Sequence, residues 1–417
     1  MNNLINNSYE DTIKDLRLQC KYLKSEKLES KIVNENNILE NSLNLDLYSN
    51  DLSINLNTTV YENLNKENND RFEFILPRVL ITKNFNNINN LNGNFSFNSD
   101  TSIRHYDTNI LEKKNINDLI FSSNRKINRF GILNNHEFLI RNTNSENRNS
   151  NYKNKKNFFI SSIYQFNSSL PLIKENDQYQ NILKPQLALK VAPDHTKNER
   201  NVERKIDITN IYSLDRVTDN SSVEGGMSLA YGVDYAMQNK LRNLEILNLK
   251  LASNLRFNEN DDLSNTNQIG EKTSNFFSEI SFKPNELLSF KYISSIKDNL
   301  KDVGYESMQS KFSMNNFITT FDYLNENNTS TKNSYLSNTS IFRIDESNNL
   351  EFSTRKNKTK DLTEYYKFMY QYKNDCLAAS IEYNKDFYSD GEIKPEESIM
   401  FKLTITPFAE VSSPNVN

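Results

Sequence analysis

The sequence predicts an all-β chain: a large antiparallel transmembrane β-barrel, or the C-terminal portion of one, with roughly 16 to 20 strands. Three observations predict it. Apolar and polar residues alternate with a period of two in segment after segment. Phe (25) and Tyr (21) are abundant in a chain of 417 residues, and both favour strands and are depleted in disordered chains. Finally, mean hydropathy is only -0.75 and no run of about 20 apolar residues occurs, so a helical span is excluded, whereas a barrel strand needs only every second residue to be apolar.

The clearest element is Ser398 to Phe408, SIMFKLTITPF. Ile399, Phe401, Leu403 and Ile405 share one parity; Met400, Lys402, Thr404 and Thr406 take the other, so the two sets lie on opposite faces of a strand. Before it, Cys376 to Phe387 sets Leu377, Ala379, Ile381, Tyr383 and Phe387 against Ser380, Glu382, Asn384 and Asp386. Asp390-Gly391 and Pro395 between them read as a turn. In Gly226 to Tyr235, Met227, Leu229, Tyr231, Val233 and Tyr235 form one face, and small or acidic residues form the other.

Further strands are expected at Ser42–Tyr61, Arg71–Phe85, Gly93–His105, Asn157–Phe166, Leu183–Val191, Lys205–Leu214, Leu244–Phe257, Asn275–Phe282 and Leu287–Ile296. Others follow at Gly304–Met314, Phe317–Leu324, Ser334–Ile344, Leu350–Lys356 and Tyr365–Tyr372, with some long runs holding two strands. Polar stretches such as Glu259–Glu271, Asn142–Lys156 and Asn325–Asn333 separate them. The region from about Asn109 to Asn198 is less periodic and is expected to hold long loops or inward-folded segments. A short helix within Asp234–Leu251 stays open, although Asn239, Asn243 and Asn248 suit turns better.

The formal net charge of -4 argues against a nucleic-acid binder, which carries a basic face. Cys20 and Cys376 are too few for a disulfide scaffold and leave one long-range bridge or two free thiols open. The first residues lack the apolar core of a secretory signal peptide. His105, His136 and His195 are far apart in sequence with no metal-ligand spacing, and G-x-S-x-G, H-E-x-x-H and P-loop patterns do not occur. The expectation is a non-enzymatic protein without metal or cofactor.

Two segments resemble the lipopolysaccharide-assembly outer-membrane protein family, also called organic-solvent-tolerance proteins, in its alphaproteobacterial branch. One holds Tyr212, Asp215-Arg216, Asp219, Tyr231 and Gly232. The other holds Tyr370, Tyr372, Asp375-Cys376, Glu382-Tyr383, Phe387-Tyr388 and Phe401 to Phe408. Weaker echoes are Leu76-Pro77, Leu170-Pro171-Leu172, Leu183-Lys184-Pro185 and Val191-Ala192-Pro193.

The resemblance implies a barrel region over 1–408, a tail over 409–417, no N-terminal periplasmic jellyroll, and an N-terminally truncated form. It implies a Gram-negative outer membrane and insertion of lipopolysaccharide through the lumen and a lateral gate. The implied partners are lipopolysaccharide, a plug lipoprotein, a periplasmic transport bridge and the barrel-assembly machinery. By the same resemblance Cys376, with Cys20 as a possible partner, becomes a candidate disulfide cysteine. Asp215, Arg216 and Asp219 become a candidate lumen or loop network, and Ser398, Phe401, Leu403, Ile405 and Phe408 mark one side of a lateral gate. The residues themselves also fit a general porin or passive channel, or less well a soluble β-rich surface binding protein.

Overall fold

A computed structural model describes residues 38–412 apart from 67, 86–91, 108, 150–155, 194–196, 199, 201–204, 217–221, 265–266, 328–331, 388–394 and 406–408. Twenty-two strands form one antiparallel sheet, and the described residues contain one short 3-10 turn and no α-helix. The first ten strands are β1 (Ile38–Ser49), β2 (Leu52–Asn63), β3 (Phe72–Phe85), β4 (Gly93–Tyr106), β5 (Ile110–Ser123), β6 (Lys126–Ile127), β7 (Leu133–Arg148), β8 (Asn157–Ser169), β9 (Leu172–Glu175) and β10 (Tyr179–Ala192). Next come β11 (Gly226–Asn239), β12 (Leu244–Arg256), β13 (Phe276–Phe282), β14 (Leu288–Ile296), β15 (Val303–Met314) and β16 (Phe317–Asn327). The last six are β17 (Lys332–Arg343), β18 (Asn348–Asn357), β19 (Leu362–Lys373), β20 (Leu377–Asp386), β21 (Glu397–Ile405) and β22 (Ala409–Ser412).

Each strand pairs with its chain neighbour, with two exceptions. β6 pairs only with β7, and β9 pairs only with β10, so they prolong β5 and β8 respectively. Counted as staves, the described residues give twenty. Among the described residues no ladder joins β1 to β22. The ladder between β3 and β4 shifts across Leu76-Pro77, where a proline has no N–H to donate.

The two faces of the sheet differ as the alternation requires. One carries Leu43, Leu187, Leu251, Ile280, Phe321, Phe368, Ile381 and Phe401, all exposed. Near the ends with short turns this outer face is aromatic: Phe85, Phe95, Phe121, Phe138 and Tyr164 stand opposite one another across five strands. In the other half, Phe317, Phe342, Leu350, Tyr370, Ile381 and Phe401 form a similar row. Such rows are the girdle of a membrane barrel. Toward the opposite end the outer face turns polar, with the Lys113–Glu146 pair and with Glu306 accepting from Tyr292, Tyr323 and Asn325. That end also carries the long connections, 193–225 and 257–275.

Several expectations are corrected here. Ser42–Tyr61 is one of the expected two-strand runs, with a tight turn at Asn50-Asp51, and within Asp234–Leu251 the turn reading holds, at 240–243, and the short helix does not. Lys205–Leu214 is no strand: Asp207 accepts from Thr209 N and Oγ1, and the chain turns back on itself through Ile211 N→Asp207 O. The weakly periodic region holds the long strands β5 and β7 beside the expected β8 and β10. Residues 409–412, expected as tail, form β22 against β21, so Ser398 to Phe408 is not the terminal strand.

Candidate functional site

The inner face gathers the site. From β8 to β15 the inward parity holds Ile163, Gln165, Ala188, Lys190, Ser228, Ala230, Gly232, Ala252, Asn254, Arg256, Phe277 and Tyr305. Both long connections fold back onto this wall. Ile206, Ile208 and Ile211 from the first, and Leu263 and Ile269 from the second, pack with Ala188, Ala230, Ala252 and Phe277 in one buried cluster. Val223 joins Leu139 and Ile163 in a second cluster. Small wall residues leave room for the loops. A Cβ at Gly232 would lie 2.2 Å from Leu251 O and 2.3 Å from the Tyr212 hydroxyl, so only glycine admits the tyrosine there.

Charge fastens what the apolar residues fill. Glu224, 2% exposed, is paired with Arg216, Arg256 and Lys190. Arg216 Nε donates to Glu224 at 2.7 Å and Nη1 to Asn254 at 3.1 Å and Ile211 O at 3.2 Å. Lys190 Nζ donates to Ser213 O at 2.7 Å. Arg256 holds both connections, donating to Gly225 O at 2.8 Å and to Ile269 O at 3.1 Å. Burial alone pushes the Glu224 carboxyl up, but Arg216, Lys190 and Arg256 outweigh it and hold the group well below the usual carboxylate range. Removing one member of such a set leaves an uncompensated buried charge, which costs about 3–5 kcal/mol.

A second clamp lies on the other side of the loop. Arg141 forks onto Asp118 with two bonds of 2.8 Å, and its Nη1 reaches Asp215 at 2.9 Å and Ser222 O at 2.8 Å. Gln165 Nε2 adds a bond of 2.8 Å to Tyr212 O. Farther along the same wall Lys205 Nζ donates to the Tyr305 hydroxyl at 2.7 Å. The first connection therefore reaches from β7 to β15 along the inside of the wall and narrows it. The inward residues of the facing arc, β16 to β21, are mostly hydroxyl, amide or charged: Thr320, Ser337, Thr339, Ser353, Lys367, Gln371, Ser380 and Lys402.

The sequence-predicted site residues fall out as follows. Asp215 and Arg216 sit in the two clamps and belong to one loop-fastening network; Asp219 lies outside the described residues. Ser398 is buried on the inner parity of β21, while Phe401, Leu403 and Ile405 are on the outer parity; Phe408 lies outside the described residues. Cys376 is an exposed free thiol in the β19–β20 turn, its N–H bonded to Asn374; Cys20 lies outside the described residues. His136 is on the outer face, its Nδ1 2.7 Å from the Tyr164 hydroxyl. Sequence reasoning missed Lys190, Glu224, Arg141 and Arg256. The available signal was a full charge at an inward position between small neighbours, as Lys190 is between Ala188 and Ala192.

No family model and no curated protein matches the chain. Matching solved structures include the siderophore receptor PirA from Acinetobacter baumannii, with 8% identity, 91% of this chain and 73% of that one covered, and a TM-score of 0.43. The ferric preacinetobactin receptor BauA from the same organism matches with 7% identity, coverage of 88% and 70%, and a TM-score of 0.42. A porin of Rh. blastica matches with 8% identity, coverage of 70% and 95%, and a TM-score of 0.30. At these values the likeness says nothing about a transported solute.

The chain has the fold of a transmembrane β-barrel wall: one antiparallel sheet with an apolar outer face, two aromatic rows and a polar inner face. The lipopolysaccharide-assembly family is corrected by the same comparisons, whose structures are siderophore receptors and a porin. With it go lipopolysaccharide, the plug lipoprotein, the transport bridge, the barrel-assembly machinery and the lateral-gate role of β21. The physical reason is that the matched residues have local explanations. Asp215-Arg216 fastens a loop, Gly232 makes room for Tyr212, and Tyr370 is a girdle residue.

Proposed function

We propose that this protein is a passive channel for small polar solutes across the outer membrane, acting without a covalent step. The observation that carries the reading is the pair of long connections folded into the lumen and fastened there by Arg141, Lys190, Glu224, Arg216 and Arg256. They narrow the passage from one side, while the facing arc offers hydroxyl, amide and lysine groups that replace water around a polar solute. Size selection then comes from the loops, and polarity selection from the wall.

Conductance in planar bilayers tests this. The purified chain gives stepwise ohmic currents, and replacing residues 206–222 by a short Gly-Ser link raises the unit current severalfold. Silent membranes containing folded protein overturn the reading, as does a unit current that the loop replacement leaves unchanged.

A further inference from the structure

A second cup of about 430 Å³ lies away from the constriction, at the long-loop end between β1 and β4. It is lined by Tyr61, Arg71, Glu73, Arg104, Tyr106 and Lys66, among others. Register puts Tyr61, Glu73 and Arg104 on the lumen parity: Tyr61 faces Glu73 across the β2–β3 ladder, and Arg104 faces Glu112 across the β4–β5 ladder. The β2–β3 connection supplies Lys66 and Arg71.

Every charge in the cup named above has an opposite partner. Arg104 Nε donates to Glu73 at 2.6 Å and Nη1 stands 3.8 Å from Glu112; Lys66 pairs with Asp107 at 2.6 Å, and Arg71 with Glu62. The cup thus offers dense hydrogen-bonding groups with little net charge. It also offers aromatic surface held in place: the Arg104 guanidinium sits 4.2 Å from the centre of the Tyr106 ring, and the Tyr106 hydroxyl donates to Glu112 at 2.9 Å. Arg104 and Glu73, the pair beside this ring, are both partly exposed at the lining, 42% and 29% by side chain.

We infer that this cup binds a neutral polyhydroxylated solute, a short oligosaccharide, at the long-loop mouth of the lumen. An anion would meet Glu73 and Asp107 as closely as Arg104 and Lys66, and a cation would meet the reverse. A sugar has the matching chemistry, with hydroxyls that both donate and accept and a ring face of C–H groups that stacks on an aromatic side chain. Six charged and two phenolic side chains line this one small concavity and can fix the orientation of a polar solute. The inference rests on the channel reading for its access to solute, but binding is measured without conduction.

The test is titration calorimetry of the full chain in detergent with maltotriose, and with citrate and spermidine as charged probes. Heat mobility on gels verifies the fold. The expected result is saturable maltotriose binding, weakened at least tenfold in Tyr61→Ala and in Tyr106→Ala, with Tyr106→Phe retaining most of it. Citrate or spermidine binding more tightly than maltotriose overturns the inference, as does maltotriose binding that both alanine variants leave unchanged. Maltotriose binding by a protein that conducts no current fails the channel reading and keeps this one; conduction without saturable maltotriose binding does the opposite.

Discussion

At the scale of single residues, Glu224 decides most. Among the described residues it is the carboxylate that Lys190, Arg216 and Arg256 all pair with, and all four are almost wholly buried. Glu224→Gln keeps the shape and removes the charge, taking from three cations the carboxylate they share. The variant is expected to lose about 3–5 kcal/mol, read as a lower urea midpoint for the heat-modifiable gel band. The sign of the pH dependence follows from the depressed carboxyl. An unfolded glutamate titrates near 4.3, and the folded one lies lower, so its contribution is complete above that value and declines only as pH falls toward the folded value. Protease cleavage within the first connection is therefore expected to stay constant from pH 6 to pH 5 in the native protein. A rise in cleavage across that interval would contradict the assignment of Glu224 as the anion of the cluster.

Gly232 carries a second prediction at this scale. Gly232→Val places a side chain into Leu251 O and the Tyr212 hydroxyl. Tyr212 must leave, and the β12 backbone at Leu251 and Ala252 must shift locally as well. Tyrosine fluorescence is informative because the chain has no Trp; the variant is expected to show more quenching by iodide, while strand content by circular dichroism stays unchanged.

At the scale of elements, what the sequence revealed depended on which face carried the apolar residues. β11 was legible because its outward Met227, Leu229, Tyr231, Val233 and Tyr235 stand against small or acidic inward residues. β5 and β7 were not. Their outward positions include Asn115, Asn117, Asn142 and Asn144, which bond to one another and to Thr101; with amides outside and charges inside, the period of two disappears. Ile206 and Ile208 gave the opposite error. Their alternation with Asp207 and Thr209 imitated a strand, but Asp207 caps a turn and both isoleucines enter one cluster. Of the candidate site, Asp215 and Arg216 were visible in sequence. Their partners were not, because Arg141, Lys190 and Arg256 are brought near only by the sheet register.

At the scale of the molecule, the outer face must match lipid and the inner face need not. Phe368 lies on the outer parity of β19 and is exposed, whereas Ser380 of β20 is on the inner one. Phe368 lies in the middle of β19, and Phe368→Arg is expected to cost roughly 2–4 kcal/mol, seen as reduced yield of the heat-modifiable form in vesicles. Ser380→Arg is expected to fold with native yield. Equal loss in both variants would contradict the assignment of the two faces.

Arg256 has a consequence that concerns time rather than space. Its guanidinium bonds to Gly225 O at the end of one connection and to Ile269 O in the other. It takes its own position from β12, which must already be in register with β11. Neither connection can thus reach its final anchorage before the wall behind it exists. The lumen is furnished after the sheet is laid, and both furnishings share one fastening. In hydrogen exchange, the amides of Ile211 and Ile269 would then become protected together, and later than those of β11 and β12.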